Sequence, residues 1–340
     1  LGAVEGALQK HWAAGWTDPT GMLPFLRLPV PDNPNPAPAD PALITALFRD
    51  VGAAMDQARA PLAEIPETSD FALEISFADL WFDVNSNAMR DPGEDLMPLL
   101  GPALLGWRWM DRDPATPAPV VRFDRADAAW LSAYTHLLGG FSEMVQAYDP
   151  TAALTQTATA KAAMAALGPN TSEYESYGIG TAADVVATLD AALSQQPDAA
   201  RMLAAQQHFQ AMITDNRRFW ALVEAETDNA QEWLPNDRQT SALGMVIPQG
   251  TGTTWLGVLA DGESLLNGSK LAPYWRVADG AGVNISRLFT DPKPIDIIGW
   301  IQGWAAVPYL EKGTIVSSAN WNAFGDMMAG EAMLMSIFLN

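Results

Sequence analysis

The recurrence of apolar side chains at helical spacing is the feature that most constrains the fold of this chain. Between residues 41 and 227, apolar residues return about every 3.6 positions in one segment after another. Strong terminators separate the segments, namely Asp149-Pro150, Gly168-Pro169 and Pro197. Helices with one apolar face bury that face against each other. The pattern therefore predicts a mainly α fold, a multi-helix globular bundle with a few short extended segments.

Local signals place several of these helices. Asp124 is suited to cap a helix that runs to Tyr148, and Asp127 would favour its positive end. Beyond Trp233 the sequence is richer in glycine and proline. In that part the pattern predicts helices and extended runs, the helices at 253–266, 295–310 and 319–329, and the extended runs at 271–277 and 282–289.

A proline-rich segment divides the chain. Residues 29–41 hold six prolines, which is typical of an extended, polyproline-like connector. We therefore expect residues 1–38 to form an N-terminal arm that contacts a protein partner or a neighbouring subunit. Residues 39–340 are expected to form a single mainly helical domain, with a possible sub-boundary near residue 230 where the composition changes.

The stretch 83–94, DVNSNAMRDPGE, is the most specific chemical motif in the sequence. It places oxygen-bearing side chains at positions 1, 3, 5, 9 and 12, which are the ligand positions of an EF-hand-type calcium loop. Position 7 supplies a backbone carbonyl, position 9 binds directly or through water, and position 12 binds with both oxygens. The predicted Ca²⁺ ligands are Asp83, Asn85, Asn87, Met89, Asp91 and Glu94.

Two departures from the motif predict weak binding. Position 6 needs positive φ and usually has glycine, whereas this chain has Ala88. Two of the five side-chain ligands are amides, so we expect a dissociation constant of about 10⁻⁵ to 10⁻³ M. A single loop without a paired second loop favours a structural ion. The alternative is an Asx-rich turn followed by a helix that begins at Asp91 or Pro92.

Composition excludes several classes of function. A net charge of −21 opposes binding to nucleic acid and to anionic membranes. No run of eighteen apolar residues exists, so we expect no membrane-spanning helix. The absence of cysteine excludes disulfides and thiolate chemistry. The start at Leu1 fits a processed secretory chain, and a weak calcium site needs calcium-rich surroundings, so we expect a periplasmic or secreted protein.

Signals of catalysis are weaker. The histidines are predicted to be isolated, and His136, two turns before Glu143, is the best acid–base candidate. An acidic cluster near a helix end is interpreted as a solvated face, although a hydrolase could use two such carboxylates; it comprises Glu224, Glu226, Asp228 and Glu232. Five tryptophans are assigned to the core rather than to a sugar-binding cleft, namely Trp255, Trp275, Trp300, Trp304 and Trp321.

Four segments carry a resemblance to known proteins. They are ADAAWLSAYTHLLGGFSEMVQAY at 126–148, WLPNDRQTS at 233–241, LAPYWRVADGAGVNISRLF at 271–289 and IDIIGWIQGWAAVPYLEKG at 295–313. In this order they resemble a group of uncharacterised secreted or periplasmic bacterial proteins that carry an Asp-rich, EF-hand-like loop. The resemblance implies export and a calcium loop, and it implies no catalytic residues. The chain departs from the group at Ala88 and in its proline-rich arm.

These observations lead to one leading hypothesis and one alternative. The leading hypothesis is an exported, non-enzymatic calcium-binding protein that acts through protein–protein contact or as an accessory subunit of a larger assembly. The alternative is a hydrolase, acting on glycans or on another substrate, that uses paired carboxylates.

Overall fold

The structure is a computed structural model and describes residues 35, 37, 40–66, 68–83, 87–105, 107–113, 115–169, 174, 178–245, 247–328, 335, 336, 339 and 340. Helices make up most of the secondary structure, which confirms the predicted mainly α fold. The helices are α1 (Leu43–Ala63), α2 (Leu96–Leu105), α3 (Trp107–Met110), α4 (Arg125–Tyr148), α5 (Thr151–Ala165), α6 (Ile179–Leu193), α7 (Ala199–Ala225), α8 (Thr251–Leu266), α9 (Ile285–Thr290), α10 (Ile297–Gln302) and α11 (Ala319–Met327), with a 3-10 turn at Val307–Tyr309.

The strands are short and form two small antiparallel sheets. They are β1 (Leu73–Ser76), β2 (Val120–Phe123), β3 (Ala272–Pro273), β4 (Ala281–Val283) and β5 (Leu310–Lys312). In the first sheet, Leu73 of β1 lies opposite Phe123 of β2. The second sheet has the order β3-β4-β5. The β1–β2 pair leads directly into α4 and thereby positions the start of that helix.

The start of α4 has the predicted cap. Asp124 accepts a hydrogen bond at Oδ1 from the backbone N–H of Ala126, at 2.7 Å. In return, Asp127 accepts at Oδ2 from the backbone N–H of Asp124, at 3.0 Å. This reciprocal capping box satisfies backbone donors that the first turn of a helix leaves open. It also draws two carboxyl groups together at one helix end.

Helices α4 and α7 run antiparallel along their lengths. Side chains later in α4 meet side chains earlier in α7, in the pairs Ser132–Asp215, His136–His208 and Glu143–Arg201. A Cβ atom at Gly139 would lie 2.8 Å from the ring of His208, and one at Gly140 would lie 2.6 Å from the ring of Phe209. The two glycines therefore let α7 side chains contact the α4 backbone, which alanine at these positions would prevent.

Among the described residues, the largest core cluster has members from Phe77 to Leu339. Its central ring is Trp233, whose centroid lies 6.2 Å from Phe77, 5.8 Å from Phe123 and 5.4 Å from Trp130. The same cluster contains side chains from α7, α8 and α11, so it joins residues before and after position 230.

A buried polar network ties the last residues to this core. Asn216 donates from Nδ2 to the carbonyl oxygen of Leu339, at 2.6 Å, and to Oδ1 of Asn340, at 2.8 Å. Trp255 donates from Nε1 to Oδ1 of Asn216, at 3.1 Å. Buried polar groups are tolerated when they are hydrogen-bonded in this way.

Three predicted elements were wrong in part. The extended run expected at 271–277 is a strand only at Ala272–Pro273 and then turns, since Val277 donates its N–H to the carbonyl oxygen of Tyr274, at 3.2 Å. The extended run expected at 282–289 is a strand only as far as Val283 and then becomes α9, in which Ile285, Leu288 and Phe289 pack at helical spacing. The helix expected at 295–310 is much shorter, because Gly303 has φ +118 and ends α10. A glycine in this left-handed region is a common helix terminator.

Candidate functional site

The two ends of the 83–94 loop are held together by the backbone. Phe82 donates its N–H to the carbonyl oxygen of Glu94, at 2.8 Å, and Trp81 forms an antiparallel bridge with Asp95. Of the predicted ligands, Asn85 lies outside the described residues, as do its two neighbours. The other five ligands are described. The loop therefore has the closed form that a wrapped ion requires, with its entry and exit side by side.

The backbone at position 6 has the conformation that the motif demands. Ala88 has φ +59, in the left-handed region where non-glycine residues are uncommon. Asp83 stabilises this turn, because its two carboxylate oxygens accept from the N–H groups of Asn87, at 3.0 Å, and Ala88, at 2.9 Å. The aspartate at position 1 thus fixes the curl of the chain around the centre of the loop.

The second half of the loop is held by side chains as well as by backbone. Asn87 accepts at Oδ1 from the N–H of Met89, at 2.7 Å, and donates from Nδ2 to Asp91, at 2.7 Å. Glu94 is buried, with 4 % of its surface exposed, and accepts at Oε2 from the N–H of Asp91, at 2.9 Å. The predicted ligands therefore engage donors of their own loop.

The backbone of the loop has the form that a calcium ion needs, whereas its side chains are not arranged as ligands. Among the residues that the structure describes, no group of three or more His, Cys, Asp or Glu side chains is arranged to hold a metal ion. Calcium takes six to eight oxygen ligands. To bind the ion, Asn87 would have to offer its Oδ1, which now accepts from the N–H of Met89.

A second acidic region lies where α7 ends beside the start of α4. We call it the carboxyl cluster, and it comprises Asp124, Asp127, Glu226 and Glu232. Glu226 accepts from Nε2 of Gln239, at 3.1 Å. Glu232 accepts from the N–H of Ala230, at 2.6 Å. The two halves of the cluster are about one hundred positions apart in the sequence, so only the packing of α4 against α7 brings them together.

Burial changes the protonation of this cluster. It raises the pKa of Asp127 to about 8, against the hydrogen bond from the Asp124 backbone, and nearby carboxylates raise it further. Burial likewise raises the pKa of Glu226 to about 7, with the Asp124 charge acting in the same direction. The pKa of Glu232 is also raised by burial. At neutral pH, at least one carboxyl group here therefore retains a proton.

Part of the cluster lines a groove of about 220 Å³. The charged residues in its wall are Asp70, Arg122, Asp124, Arg125 and Glu226. The predicted solvated face is confirmed for Glu224 and Asp228, which are exposed. It is wrong for Glu232, which is buried, and for Glu226, which is half-buried and has a pKa raised by burial. The error arose because burial of Glu232 depends on contacts that its local sequence does not reveal.

The prediction that the histidines are isolated was wrong for two of them. Nδ1 of His136 lies 2.9 Å from Nδ1 of His208, because the antiparallel packing of α4 and α7 places these positions opposite each other. Burial, with help from Arg59, lowers the pKa of His136 to about 4 and also lowers the pKa of His208. His11 lies outside the described residues. Glu143, the suggested partner of His136, instead pairs with Arg201.

The tryptophan prediction was correct for Trp255, which is 4 % exposed, and wrong for Trp321, which is 41 % exposed, while Trp300 is half-buried. It was also wrong for Trp275 and Trp304, which are 72 % and 60 % exposed. These two rings belong to a set of exposed apolar side chains that we call the tryptophan patch. It comprises Trp275, Ile298, Ile301, Trp304 and Val307. Arg276 links its parts, since its guanidinium lies over the Trp275 ring at 4.8 Å and donates to the carbonyl of Ile301 at 3.4 Å.

Two further expectations concern partners. Most of the predicted N-terminal arm, residues 1–34, lies outside the described residues, so the arm's contacts stay a prediction. Within the described part of the chain, none of the helices combines the length and the apolar character that a bilayer crossing would need.

Comparison with protein-family models, with curated proteins and with solved structures finds no match to this chain. The resemblance to a group of secreted bacterial proteins therefore stays a prediction.

Proposed function

We propose that the protein binds one calcium ion in the 83–94 loop, that the ion fixes this loop against the body, and that the protein acts without catalysis through contact with a partner. The observation that carries the proposal is the left-handed backbone of Ala88 at position 6. A residue other than glycine adopts this conformation at a cost of about 1 kcal/mol. The chain accepts that cost at the one position where a calcium loop requires the conformation.

The hydrogen bonds of the loop support weak rather than tight binding. Calcium would compete with the N–H donors that Asp83, Asn87 and Glu94 already bind. Each exchange lowers the net gain from coordination. A site of this strength fills only where calcium is abundant, so export to the periplasm or the cell exterior belongs to the same proposal.

The tryptophan patch supports action through contact. Arg276 joins Trp275 to the end of α10, and grouped exposed apolar side chains mark interaction surfaces more often than isolated ones do. Tryptophan is also enriched among the residues that contribute most to binding at interfaces. The ion and the patch are separate parts of the proposal, because the first concerns folding of the loop and the second concerns recognition.

The calcium part is tested by thermal unfolding of the full chain in EDTA, in a calcium titration and in magnesium at the same concentrations. A protein with net charge −21 gains stability from any divalent cation, so a rise in Tm alone does not show that the 83–94 loop binds calcium. Glu94→Gln and Asp95→Asn remove the same charge from adjacent positions, and only Glu94 is a predicted ligand. At a hundred times the dissociation constant, binding stabilises the fold by about 2.7 kcal/mol.

We expect the parent and Asp95→Asn to gain stability from calcium beyond the gain from magnesium, and Glu94→Gln to lose this difference. Equal responses of all three proteins would show that the cation acts on the general charge and would refute the loop as a site.

The carboxyl cluster favours a second candidate function, hydrolysis by paired carboxylates. Glu226 and Asp124 line the same groove, and the raised pKa of Glu226 lets it serve as a proton donor near neutral pH. Asp124 is engaged by the N–H of Ala126 and lies 3.6 Å from Arg122, so the two carboxyl groups have different surroundings. In many hydrolases, such a difference determines which carboxyl group acts as the acid and which acts as the base.

This candidate is tested with chromogenic glycosides and esters on the parent, Glu226→Gln and the control Glu224→Gln. Glu224 is exposed and lies two residues away. Activity that Glu226→Gln abolishes, that Glu224→Gln retains, and that falls as pH rises through about 7 would support hydrolysis. Activity that is absent, or equal in both variants, would refute it.

A further inference from the structure

A larger cavity, of about 400 Å³, lies between α1, α4 and α7. It is separate from the groove at Glu226, although Arg125 lines both. Its polar lining comprises Asp56, Arg59, Arg125, Ser132, His136, Asp215 and Arg218. Its apolar lining consists of small side chains, Ala60, Ala63, Ala128 and Ala129, together with Leu62 and Ile65. The volume lies within the range of about 300 to 1,000 Å³ that is usual for small-molecule sites.

The charge of this lining contrasts with the charge of the protein. The chain has 19 lysines and arginines against 40 aspartates and glutamates. In the cavity the order is reversed, since three arginines face two aspartates. Each arginine comes from a different helix: Arg59 from α1, Arg125 from α4 and Arg218 from α7. Three helices thus each contribute one arginine to the cavity wall, in a molecule that is strongly negative overall.

Arg59 is the best defined of the three. Its side chain is 18 % exposed, so it is largely withdrawn from solvent. It forms an ion pair with Asp56 and donates from Nη1 to Oγ1 of Thr135, at 3.3 Å. A guanidinium has five N–H donors in a planar fork. Within the described residues, these two contacts use only part of the fork, so other N–H groups of Arg59 can donate to a ligand.

Both aspartates of the lining already have partners. Asp56 is 67 % exposed, and its charge is therefore screened by water. Asp215 accepts at Oδ2 from the hydroxyl of Ser132, at 2.6 Å. A salt-bridge network whose only role is to join three helices would not need an open volume beside it. A cavity lined by cationic forks and small apolar side chains is instead suited to a ligand with one anionic end.

His136 extends the polar wall. Its Nδ1 contacts His208, so its Nε2 is the ring nitrogen that remains for the cavity. The charged and titratable groups that face it are Arg59, Asp56, Asp215 and His208. Its protonation therefore reports on any anion that enters, because an added negative charge favours the imidazolium form.

We propose that the cavity between α1, α4 and α7 binds a small organic oxyanion, a carboxylate or phosphate group on a short apolar body. Arg59, Arg125 and Arg218 hold the anionic group, since guanidinium forks match the geometry of both oxyanions. The alanine side chains of α1 and α4 contact the apolar body. This proposal does not depend on calcium binding by the 83–94 loop.

The test is a titration of the full chain with phenyl phosphate, benzoate and inorganic phosphate, each matched in ionic strength with sodium chloride, and followed by calorimetry. We expect saturable binding of phenyl phosphate or benzoate, and the stronger of the two identifies the head group. Arg59→Gln should weaken binding at least tenfold. Arg49→Gln is the matched control, because Arg49 lies on the same helix but is 64 % exposed and pairs with Asp50.

A second measurement keeps the test decisive if Arg59→Gln folds poorly. The chain has three histidines, whose ring signals can be followed by NMR during a pH titration. In the parent protein, the oxyanion should raise the pKa of His136, whereas sodium chloride should not. Absence of saturable binding, or a pKa of His136 that the oxyanion and chloride move equally, would overturn the proposal.

Discussion

The 83–94 loop and the carboxyl cluster are both acidic, yet they hold their carboxyl groups in opposite ways. In the loop, Asp83 and Glu94 bind backbone N–H groups no more than five positions away. In the cluster, Asp127 and Glu226 come from distant segments, the first buried and the second half-buried, and both have raised pKa values. The first arrangement depends on local spacing, and the second depends on tertiary packing.

The comparison teaches which acidic sites a sequence can reveal. A carboxylate that binds its own loop needs only the right neighbours in the chain, so the motif is visible before folding is known. A carboxyl group with a raised pKa needs burial and nearby charges, neither of which exists until the helices pack. The following three predictions test this contrast, beginning with the largest effect.

The largest effect is expected from Asp127→Asn. The folded pKa of Asp127 is about 8 and its ordinary value is 3.8, so between these values the folded protein retains a proton that the unfolded chain loses. The associated stability is present at low pH and is lost as pH rises through about 8. At that pH the variant should be more stable than the parent by up to about 6 kcal/mol, since the pKa lies about four units above its ordinary value and each unit represents about 1.4 kcal/mol.

Urea unfolding between about pH 4 and pH 8 measures this effect. The amide that replaces the carboxyl group keeps an oxygen that can accept the Asp124 N–H, so the cap should survive. Asp198→Asn is the control, because Asp198 also caps a helix but is exposed. A gain of equal size in both variants, or none in Asp127→Asn, would remove the distinction between the cluster and an ordinary acidic surface.

A smaller effect is expected from Ala88→Gly. Glycine adopts positive φ without the steric cost of a Cβ atom, so the variant should gain about 1 kcal/mol. Ala162→Gly makes the same chemical change on the exposed surface of α5 and should lose about 1 kcal/mol. Chemical denaturation of both variants gives the comparison. If Ala88→Gly destabilises the fold as Ala162→Gly does, the left-handed turn is not a source of strain.

The smallest effect is expected from Asp95→Asn without calcium. Arg90 and Asp95 lie 2.6 Å apart, but both are more than 40 % exposed. Water screens such a pair, so its loss should cost about 0.5 kcal/mol and less at high salt. Thermal unfolding at low and high salt checks this value. If Asp95→Asn changes the free energy of unfolding more than Ala88→Gly does, the ion pair, and not the backbone turn at Ala88, fixes the loop.

Much of the helical architecture was predictable, because its signals are local. Asp124 was identified as a cap from the residues around it, and the structure places α4 immediately after it. The positive φ at position 88 was likewise predictable from the motif. What the sequence did not reveal are relations between distant positions, such as His136 beside His208 or Asp127 near Glu226.

One signal for the missed contacts was present. Gly139 and Gly140 lie in the middle of a long helix, where glycine is unfavourable. Such a pair indicates that another element approaches closely, and His208 and Phe209 are what approaches. Gly303 has a different effect: it ends α10, so Trp304 lies outside a helix although the predicted helix at 295–310 included it.

The antiparallel pairing of α4 and α7 also has a kinetic consequence. Residues 149–198 must be looped out before these helices meet, and closing a loop of this length costs about 3 kcal/mol of entropy. The 83–94 loop needs no such closure for the hydrogen bonds of Asp83. During refolding, the turn at Ala88 should therefore form early, whereas the carboxyl cluster, the histidine pair and the cavity should appear together in the step that brings α7 onto α4.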